Sequence, residues 1–308
     1  MASVCAVVVT FNRKRSLYIV LSKLLESRRC IDRVLVVDNH STDGSYEYIK
    51  ESGVLKNGYI EWIRLNDNQG GAGGFQIGIQ YALENGFKYI WLMDDDGFPL
   101  GSCIDELLEN ATESQVIGPV VINQPEIEGS LLSFNLRLPG TQKVIESYAE
   151  FKTLFPYSCE GVLFPFNGTF LPSKIVRKIG LPKSEYFIWG DETEYLYRIK
   201  KNGYKVKTFS NAFFYHPKSE SAGVPMFFGL MKYNEPGSDL KRYCFVRNSL
   251  KNFYEYKSTF AALLFISKVI WFNLFTEPNF SRLKLAVFAI YDCCRGDFSK
   301  HKRYIKNK

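Results

Sequence analysis

The stretch that most restricts how this chain can fold is Tyr89-Ile90-Trp91-Leu92-Met93-Asp94-Asp95-Asp96-Gly97-Phe98-Pro99. Five apolar residues in a row suit a strand buried on both faces, and the three carboxylates, Gly and Pro that follow stop it abruptly. Strands of this kind belong to parallel sheets covered by helices, and their C-terminal ends open on the side where such sheets bind ligands. Three adjacent acids repel one another, so at the end of a buried strand they require a positive partner. A divalent cation is the simplest, because an oxygen-only set suits Mg2+ or Mn2+, which complete their shells with substrate phosphates. Taken alone, the triplet fits a ligand-free acidic turn about as well, and the flanking sequence shifts that balance.

Strand-like stretches at residues 4–10, 34–38, 59–65, 89–93 and 116–122 alternate with helical patterns at 14–27, 45–51, 74–85 and 103–110. That alternation predicts an α/β fold with a mostly parallel sheet flanked by helices. Residues 123–159 read as loop with a few irregular strands forming a substrate wall. Order resumes over 161–171, a short helix follows at 172–179, and Asp191, Glu192 and Glu194 fall in the first turn of another helix, where the macrodipole favours acids. Two strands are expected at 204–208 and 212–216, and the pattern is helical from 239 onward.

Three further segments point to chemistry. Asn66-Asp67-Asn68-Gln69-Gly70-Gly71-Ala72-Gly73-Gly74-Phe75 lies between a strand and a helix, where Gly70, Gly71, Gly73 and Gly74 let a phosphate or sugar approach backbone N–H groups. It is neither GxGxxG nor a Walker loop. Asp38, at the end of the second strand, can accept from a base N–H, while Ser41 and Asp43 serve equally as caps of the next helix. His216 is the one histidine in a setting suited to a metal, provided the fold brings it beside Asp96.

The charge of +7 is unevenly placed: residues 240–308 hold 14 Lys/Arg against 4 Asp/Glu, a net of +10. In the same tail, Phe260, Phe265, Trp271, Phe272 and Phe275 share an apolar run at 259–275. Lys268 and Asn273 interrupt it, so it reads as falling short of a spanning helix and as better suited to an anionic membrane surface. Packing on the catalytic domain or on a second subunit is an equal alternative. No nucleic-acid motif accompanies the basic tail. The seven cysteines form no CxxC pair and suggest a reducing compartment, and the N-terminal apolar run is too short for a secretion signal.

In order, Val9-Thr10-Phe11-Asn12-Arg13, Val37-Asp38-Asn39-His40-Ser41-Thr42-Asp43-Gly44, the Gly-rich segment, Trp91-Leu92-Met93-Asp94-Asp95-Asp96-Gly97 and Trp189-Gly190-Asp191-Glu192-Thr193-Glu194-Tyr195 resemble the inverting glycosyltransferases of family 2. The galactofuranosyltransferase branch is nearest and rhamnosyltransferases are next. The resemblance covers about residues 3–217. It implies a GT-A Rossmann-like nucleotide-binding fold in a catalytic domain over 1–238, with a helical tail over 239–308.

The same resemblance places Thr10, Phe11, Asn12, Arg13, Asp38, Asn68, the four glycines, Asp94 and Asp95 at the nucleotide and donor, and Trp189, Asn167 and Glu194 at the donor or acceptor sugar. It implies Asp94, Asp96 and His216 as holders of a divalent metal, Mn2+ or Mg2+. Glu192 matches the position of the base, but the family pattern has two adjacent Asp there, so Asp191 stays open. The expected reaction moves galactofuranose from a UDP-sugar to a lipid-linked glycan of a bacterial surface polysaccharide, at the inner face of the cell membrane, with a homo-oligomer possible. A dTDP-rhamnose donor is the alternative within the class. A sugar-nucleotide-binding module without turnover is the alternative outside it.

Overall fold

Val4–Thr10 forms β1, buried along its whole length, as an unbroken apolar run inside a covered sheet must be. The computed structural model describes residues 3–305 apart from 57, 139, 140, 142, 165 and 219–222. After β1 come α1 (Lys14–Glu26), β2 (Arg33–Asp38), α2 (Ser45–Glu51), β3 (Ile60–Arg64), α3 (Gly70–Glu84) and β4 (Tyr89–Asp94). The strands lie in the order β3-β2-β1-β4, all parallel, because a helix joins each of β1, β2 and β3 to the next strand and carries the chain back along the sheet.

The sequence continues with β5 (Phe98–Leu100), α4 (Cys103–Glu109), β6 (Gln115–Ile122), β7 (Leu131–Arg137), β8 (Val144–Ser147), α5 (Tyr148–Leu154), β9 (Ser158–Glu160), β10 (Thr169–Pro172), α6 (Ser173–Ile179), α7 (Asp191–Lys201) and β11 (Lys205–Tyr215). The sheet extends as β4-β10-β6-β11-β5. β10 is antiparallel to both neighbours, β11 runs parallel to β6, and β5 is antiparallel at the edge. This is the α/β architecture expected.

Three local expectations are corrected. The helix α3 starts at Gly70 rather than at 74, so most of the Gly-rich segment is its first turn. A Cβ on Gly74 would lie 2.5 Å from Val9 Cγ1 and one on Gly78 would lie 2.3 Å from Val7 Cγ1, so both glycines let α3 rest directly on β1. Residues 123–159 are more regular than expected: they contain β7, β8, α5 and β9, with Ser147 Oγ capping α5 through the Glu150 N–H at 3.2 Å. The two strands expected at 204–208 and 212–216 are one strand, β11, whose register against β6 slips between Phe209 and Phe213 opposite Pro119 and Val120. Pro119 has no N–H for the ladder, and a bulge is how a sheet absorbs such a break.

The chain divides into two compact units, Met1–Leu181 with Ile199–Ser219 and Pro182–Arg198 with Glu220–Lys308. The first contains the sheet. The second contains the hairpin β12 (Val224–Met226) and β13 (Met231–Tyr233) and the helices α8 (Asp239–Tyr256), α9 (Thr259–Trp271) and α10 (Phe280–Arg295). Each helix opens on a side-chain cap: Ser238 accepts from Lys241 N–H, Ser258 from Ala261 N–H and Asn279 from Arg282 N–H. Tyr243, Leu250, Phe265, Val269, Phe272, Ala286 and Ala289 form this unit's own core.

α9 continues into a π-helical turn, Phe272–Thr276. Among the described residues this 18-residue segment, Thr259–Thr276, is long and apolar enough by length and composition to cross a membrane. Lys268 and Asn273, read in the sequence as interruptions, both lie within it. At 1.5 Å per residue it spans about 27 Å, the lower limit for a bilayer core. Only 28% of its residues are buried. Ala262, Phe265, Val269 and Phe272 form the packed stripe, whereas Phe260, Leu263, Leu264, Trp271 and Phe275 lie exposed on another.

Candidate active site

The ends of β1 and β4 are adjacent, since Val9 pairs with Asp94, and the acid triplet divides its labour there. Asp95 turns inward: its carboxylate accepts from Thr10 Oγ1 at 2.7 Å and Phe11 N–H at 3.3 Å and pairs with Arg13 at 3.3 Å. Burial pushes the Asp95 carboxyl up to about 6, against the pull of Thr10 and Arg13. Asp94 and Asp96 are half-buried on either side of it. Asp96 lies 3.3 Å from His216 Nε2 and also pairs with Arg13. Burial alone would raise the Asp96 carboxyl, but His216 and Arg13 outweigh it and hold the group below its ordinary value. The same pairing lifts His216 above its ordinary value despite burial.

His216 reaches this place because β11 pairs with β6 to its end and His216 N–H donates to Ile122 O at 3.0 Å. Ser133 Oγ donates to the His216 carbonyl at 2.6 Å, and the Phe134 ring packs 4.9 Å from the imidazole. Ser133 and Phe134 carry no signal in the sequence, because they lie in the stretch that reads as loop. Asn167 sits at the same strand end, buried next to Gly168, whose N–H donates to Leu92 O at 2.9 Å.

Several residues expected at the nucleotide are engaged by the protein itself. Thr10 is buried on Asp95. Asn12, in the left-handed region at φ 56°, accepts Thr42 N–H at 2.7 Å through Oδ1 and so ties the β1 end to the β2 end. Ser41 is no helix cap, since its Oγ accepts Asn12 N–H at 3.0 Å; the N-cap of α2 is Gly44, and Asp43 just before it accepts Ser45 N–H at 3.0 Å. Asn68 Oδ1 accepts Gly70 N–H at 2.8 Å and shapes the turn into α3. Of the four glycines, Gly70 needs its left-handed φ of 69°, and Gly73 and Gly74 are packed against neighbours. A Cβ on Gly71 would meet nothing within 4 Å, so packing does not explain that glycine. Phe11 is exposed.

Asp38 is different. It is 1% exposed, Oδ1 accepts Ser41 N–H at 2.7 Å, and Oδ2 is buried with no hydrogen-bond partner. A buried carboxylate oxygen left without a donor is costly, and a ligand N–H would satisfy it.

The second acid cluster belongs to the other unit. Asp191 is buried at the first position of α7, and burial pushes its carboxyl up to about 7 even though the backbone N–H groups of Asp191 and Glu192 favour the charged form. Glu192 is half-buried beside it. Glu194, expected to face a sugar, is 0% exposed and fully engaged: Arg198 donates to it at 2.6 Å, the Tyr256 hydroxyl at 2.5 Å, and Lys183 lies at 3.5 Å. It anchors α7 within its unit. Trp189 is half-buried with its ring 5.6 Å from Phe245.

Among the described residues no three His, Cys, Asp or Glu side chains form a ready-made metal cage. The pair Asp96 and His216 nevertheless fits a divalent cation as two neighbouring ligands. Ligands about 2.1 Å from one octahedral ion stand about 3 Å apart, close to the observed separation, and such ions take their remaining ligands from phosphates and water. Arg13, on the same carboxylate, supplies positive charge in the structure as it stands.

A mostly parallel sheet with acids at the end of β4 and a buried Asp at the end of β2 is a fold this chain shares with solved structures. GalNAc-T7 with UDP, GalNAc and Mn2+ matches with TM-score 0.59 at 14% identity over 94% of this chain, which spans 55% of that longer chain. TarS of S. aureus, residues 1–349 in complex with UDP-GlcNAc, matches with TM-score 0.56 at 13% identity over 99% of this chain and 84% of that one.

Residues 5–159 match the profile of Glycosyl transferase family 2, and the chain belongs to that family. It is a glycosyltransferase. Galactofuranosyltransferase GlfT1 of Mycolicibacterium smegmatis is 30% identical over 80% of this chain and 81% of its own length. The protein of that name from Mycobacterium tuberculosis is 31% identical over 80% of each. The dTDP-rhamnosyl transferase RfbF of Shigella flexneri is 26% identical over 66% of this chain and 64% of its own length.

Proposed function

We propose that this glycosyltransferase moves galactofuranose from UDP-galactofuranose, with inversion, onto a lipid-linked glycan in the synthesis of a bacterial surface polysaccharide. The observation that carries the donor class is the buried, unsatisfied Asp38 Oδ2. It sits at a strand end of the sheet that also presents Asp96 and His216, and it is suited to accept the N–H of a pyrimidine base. The similarity to two galactofuranosyltransferases supports the sugar.

In this reading Asp38 orients the base and the unobstructed backbone at Gly71 admits the diphosphate. Arg13, already held on Asp95 and Asp96, faces the developing negative charge. Asp96 and His216 would hold a divalent cation, Mn2+ or Mg2+, which when bound neutralises the leaving diphosphate. Asp191 or Glu192 takes the proton of the acceptor hydroxyl, and the value near 7 for Asp191 suits a base working at neutral pH. Incubating the protein with a panel of sugar nucleotides, with and without Mn2+, tests the donor. The similarity to RfbF favours dTDP-rhamnose as the second reading, and turnover of that donor alone would replace the first.

We further propose that the enzyme works at the inner face of the membrane, seated by its tail. Supporting this are the net +10 of residues 240–308 and the exposed stripe Phe260, Leu263, Leu264, Trp271 and Phe275. The hairpin adds to it: Phe228 and Leu230 project fully at its turn, next to Phe227, whose ring lies 4.7 Å from Trp271. Aromatic and basic residues so combined favour anionic lipid. Flotation with anionic but not neutral vesicles, weakened by salt, is the expected result. No flotation, with a salt-insensitive dimer, would assign the stripe to a second copy.

A further inference from the structure

The residues just before Asp191 follow an unfavourable backbone path. Phe187 (φ 67°), Trp189 (φ 64°) and Gly190 (φ 94°) all lie in the left-handed region within four residues, and two of them carry bulky aromatic side chains. Such conformations persist only where surrounding structure imposes them, and they gather at functional sites.

One face of α8 imposes this one. Arg247, 0% exposed, donates through Nη2 to the carbonyls of Glu185 at 3.3 Å and Tyr186 at 3.0 Å, and through Nη1 to Phe298 O at 2.9 Å. Its Nε donates to Asn248 Oδ1 at 2.9 Å, which turns the Asn248 NH2 toward the loop. There Asn248 Nδ2 lies 2.9, 3.1 and 2.6 Å from the carbonyl oxygens of Tyr186, Ile188 and Trp189. Asn252 Nδ2 donates to Gly190 O at 2.8 Å, and its Oδ1 accepts the Tyr186 hydroxyl at 2.9 Å. Gly190 O also accepts Glu194 N–H at 2.8 Å, so the same carbonyl opens the hydrogen-bond ladder of α7.

These contacts go beyond what anchoring a helix requires. A guanidinium and two amides buried together leave little freedom, because each gives at least one donor to carbonyls of one short segment and every lost donor strands an acceptor. Gly190 fits the same face closely: a Cβ there would lie 3.1 Å from Asn248 Cβ. The Phe187 ring stacks on His301 at 4.4 Å and Tyr186 on Phe298 at 5.3 Å, closing the loop from the segment that follows α10.

We propose that Arg247, Asn248 and Asn252 are positioning residues for the reaction: by capturing the carbonyls of residues 185, 186, 188, 189 and 190 they fix the direction in which Asp191 and Glu192 leave the start of α7. The proposal rests on the reading of that pair as the acceptor's base. It makes the tail part of the catalytic machinery, beyond any role at a membrane.

The test uses the full-length protein. Asn248→Ala should lower kcat roughly a hundredfold, as a small misplacement of a reacting group does. Donor KM and UDP affinity should stay within about twofold, and amide hydrogen exchange over 186–190 should quicken. Asn248→Asp, the same size but with acceptors where donors are needed, should be at least as impaired. If Asn248→Ala does not fold, Asn252→Ala carries the test, with a loss of roughly tenfold and local exchange at Gly190 and Asp191. Faster loop exchange with kcat unchanged overturns the proposal, as does unchanged exchange. Full turnover in both Asp191→Asn and Glu192→Gln removes the base reading itself, a result distinct from full turnover in Asn248→Ala alone.

Discussion

The two acid clusters, Asp94-Asp95-Asp96 and Asp191-Glu192-Thr193-Glu194, look alike as sequence and are built differently. In the turn that closes β4, Asp95 is buried on Thr10 and Arg13 while Asp94 before it and Asp96 after it stay half-buried. At the start of a helix positions three apart share a face, so Asp191 and Glu194 are the buried pair and Glu192 is the outer one. In each cluster one acid is consumed by structure. Asp95 and Glu194 look as functional on paper as their neighbours, and the contacts each makes inside the protein set them apart.

The largest effect that tests this contrast is at Asp96. Asp96→Ala should abolish transfer, and EDTA should reproduce the loss in the unaltered enzyme; full activity in EDTA would refute a metal-assisted leaving group.

Next come the helix acids. Whichever of Glu192→Gln and Asp191→Asn removes the base should retain donor binding and lose roughly two to four decades of turnover, and the other should not.

Glu194→Gln should behave in the opposite way. By leaving Arg198 and Lys183 facing a neutral amide in a buried site, it should cost about 3 kcal/mol in urea unfolding, with turnover per folded molecule much less affected. A fall in turnover matching that of the base variant would return Glu194 to the chemistry.

The smallest effect concerns Asp95. Its carboxyl is raised in the folded state to about 6 from an ordinary 3.8, so the native protein holds a proton there that the unfolded chain has released. Stability from this group therefore declines as pH rises from about 4 to 6 and is flat above. Asp95→Asn should flatten that part of the stability curve. Parallel pH profiles for the two proteins would show that Asp95 does not titrate as its burial requires.

What could be read from the sequence follows from how local each signal is. The β1 strand and the helix α2 fall where the pattern predicts, and α1, β2, β4, α4 and β6 come within a residue of it, because apolar period and flanking polar residues mark them. The start of α3 was misplaced because four glycines look like a loop, and only the contacts of Gly74 with Val9 and of Gly78 with Val7 show that the helix lies directly on β1. Asp38 stood out at a strand end, but that one of its oxygens is unsatisfied requires the fold. Arg247, Asn248 and Asn252 were missed altogether. Their one trace is polarity on the inward side of α8, which reads as ordinary helix surface until their partners, sixty residues away, are known.

The slip in register between Phe209 and Phe213 has a consequence for how the chain tolerates change in length. Side chains along a strand alternate sides, so the residues Ser210, Asn211 and Ala212 act as a counter that sets which way Tyr215 and His216 face. Deleting one of them would leave the composition of the strand almost unchanged, but where the shortened bulge pulls the residues beyond it one place along β6, that slip exchanges their sides and turns His216 from Asp96. Substitutions in this segment should therefore be absorbed where single insertions or deletions are not, and a one-residue deletion scan across residues 210–212, read out by transfer activity and folded yield, would separate length from identity.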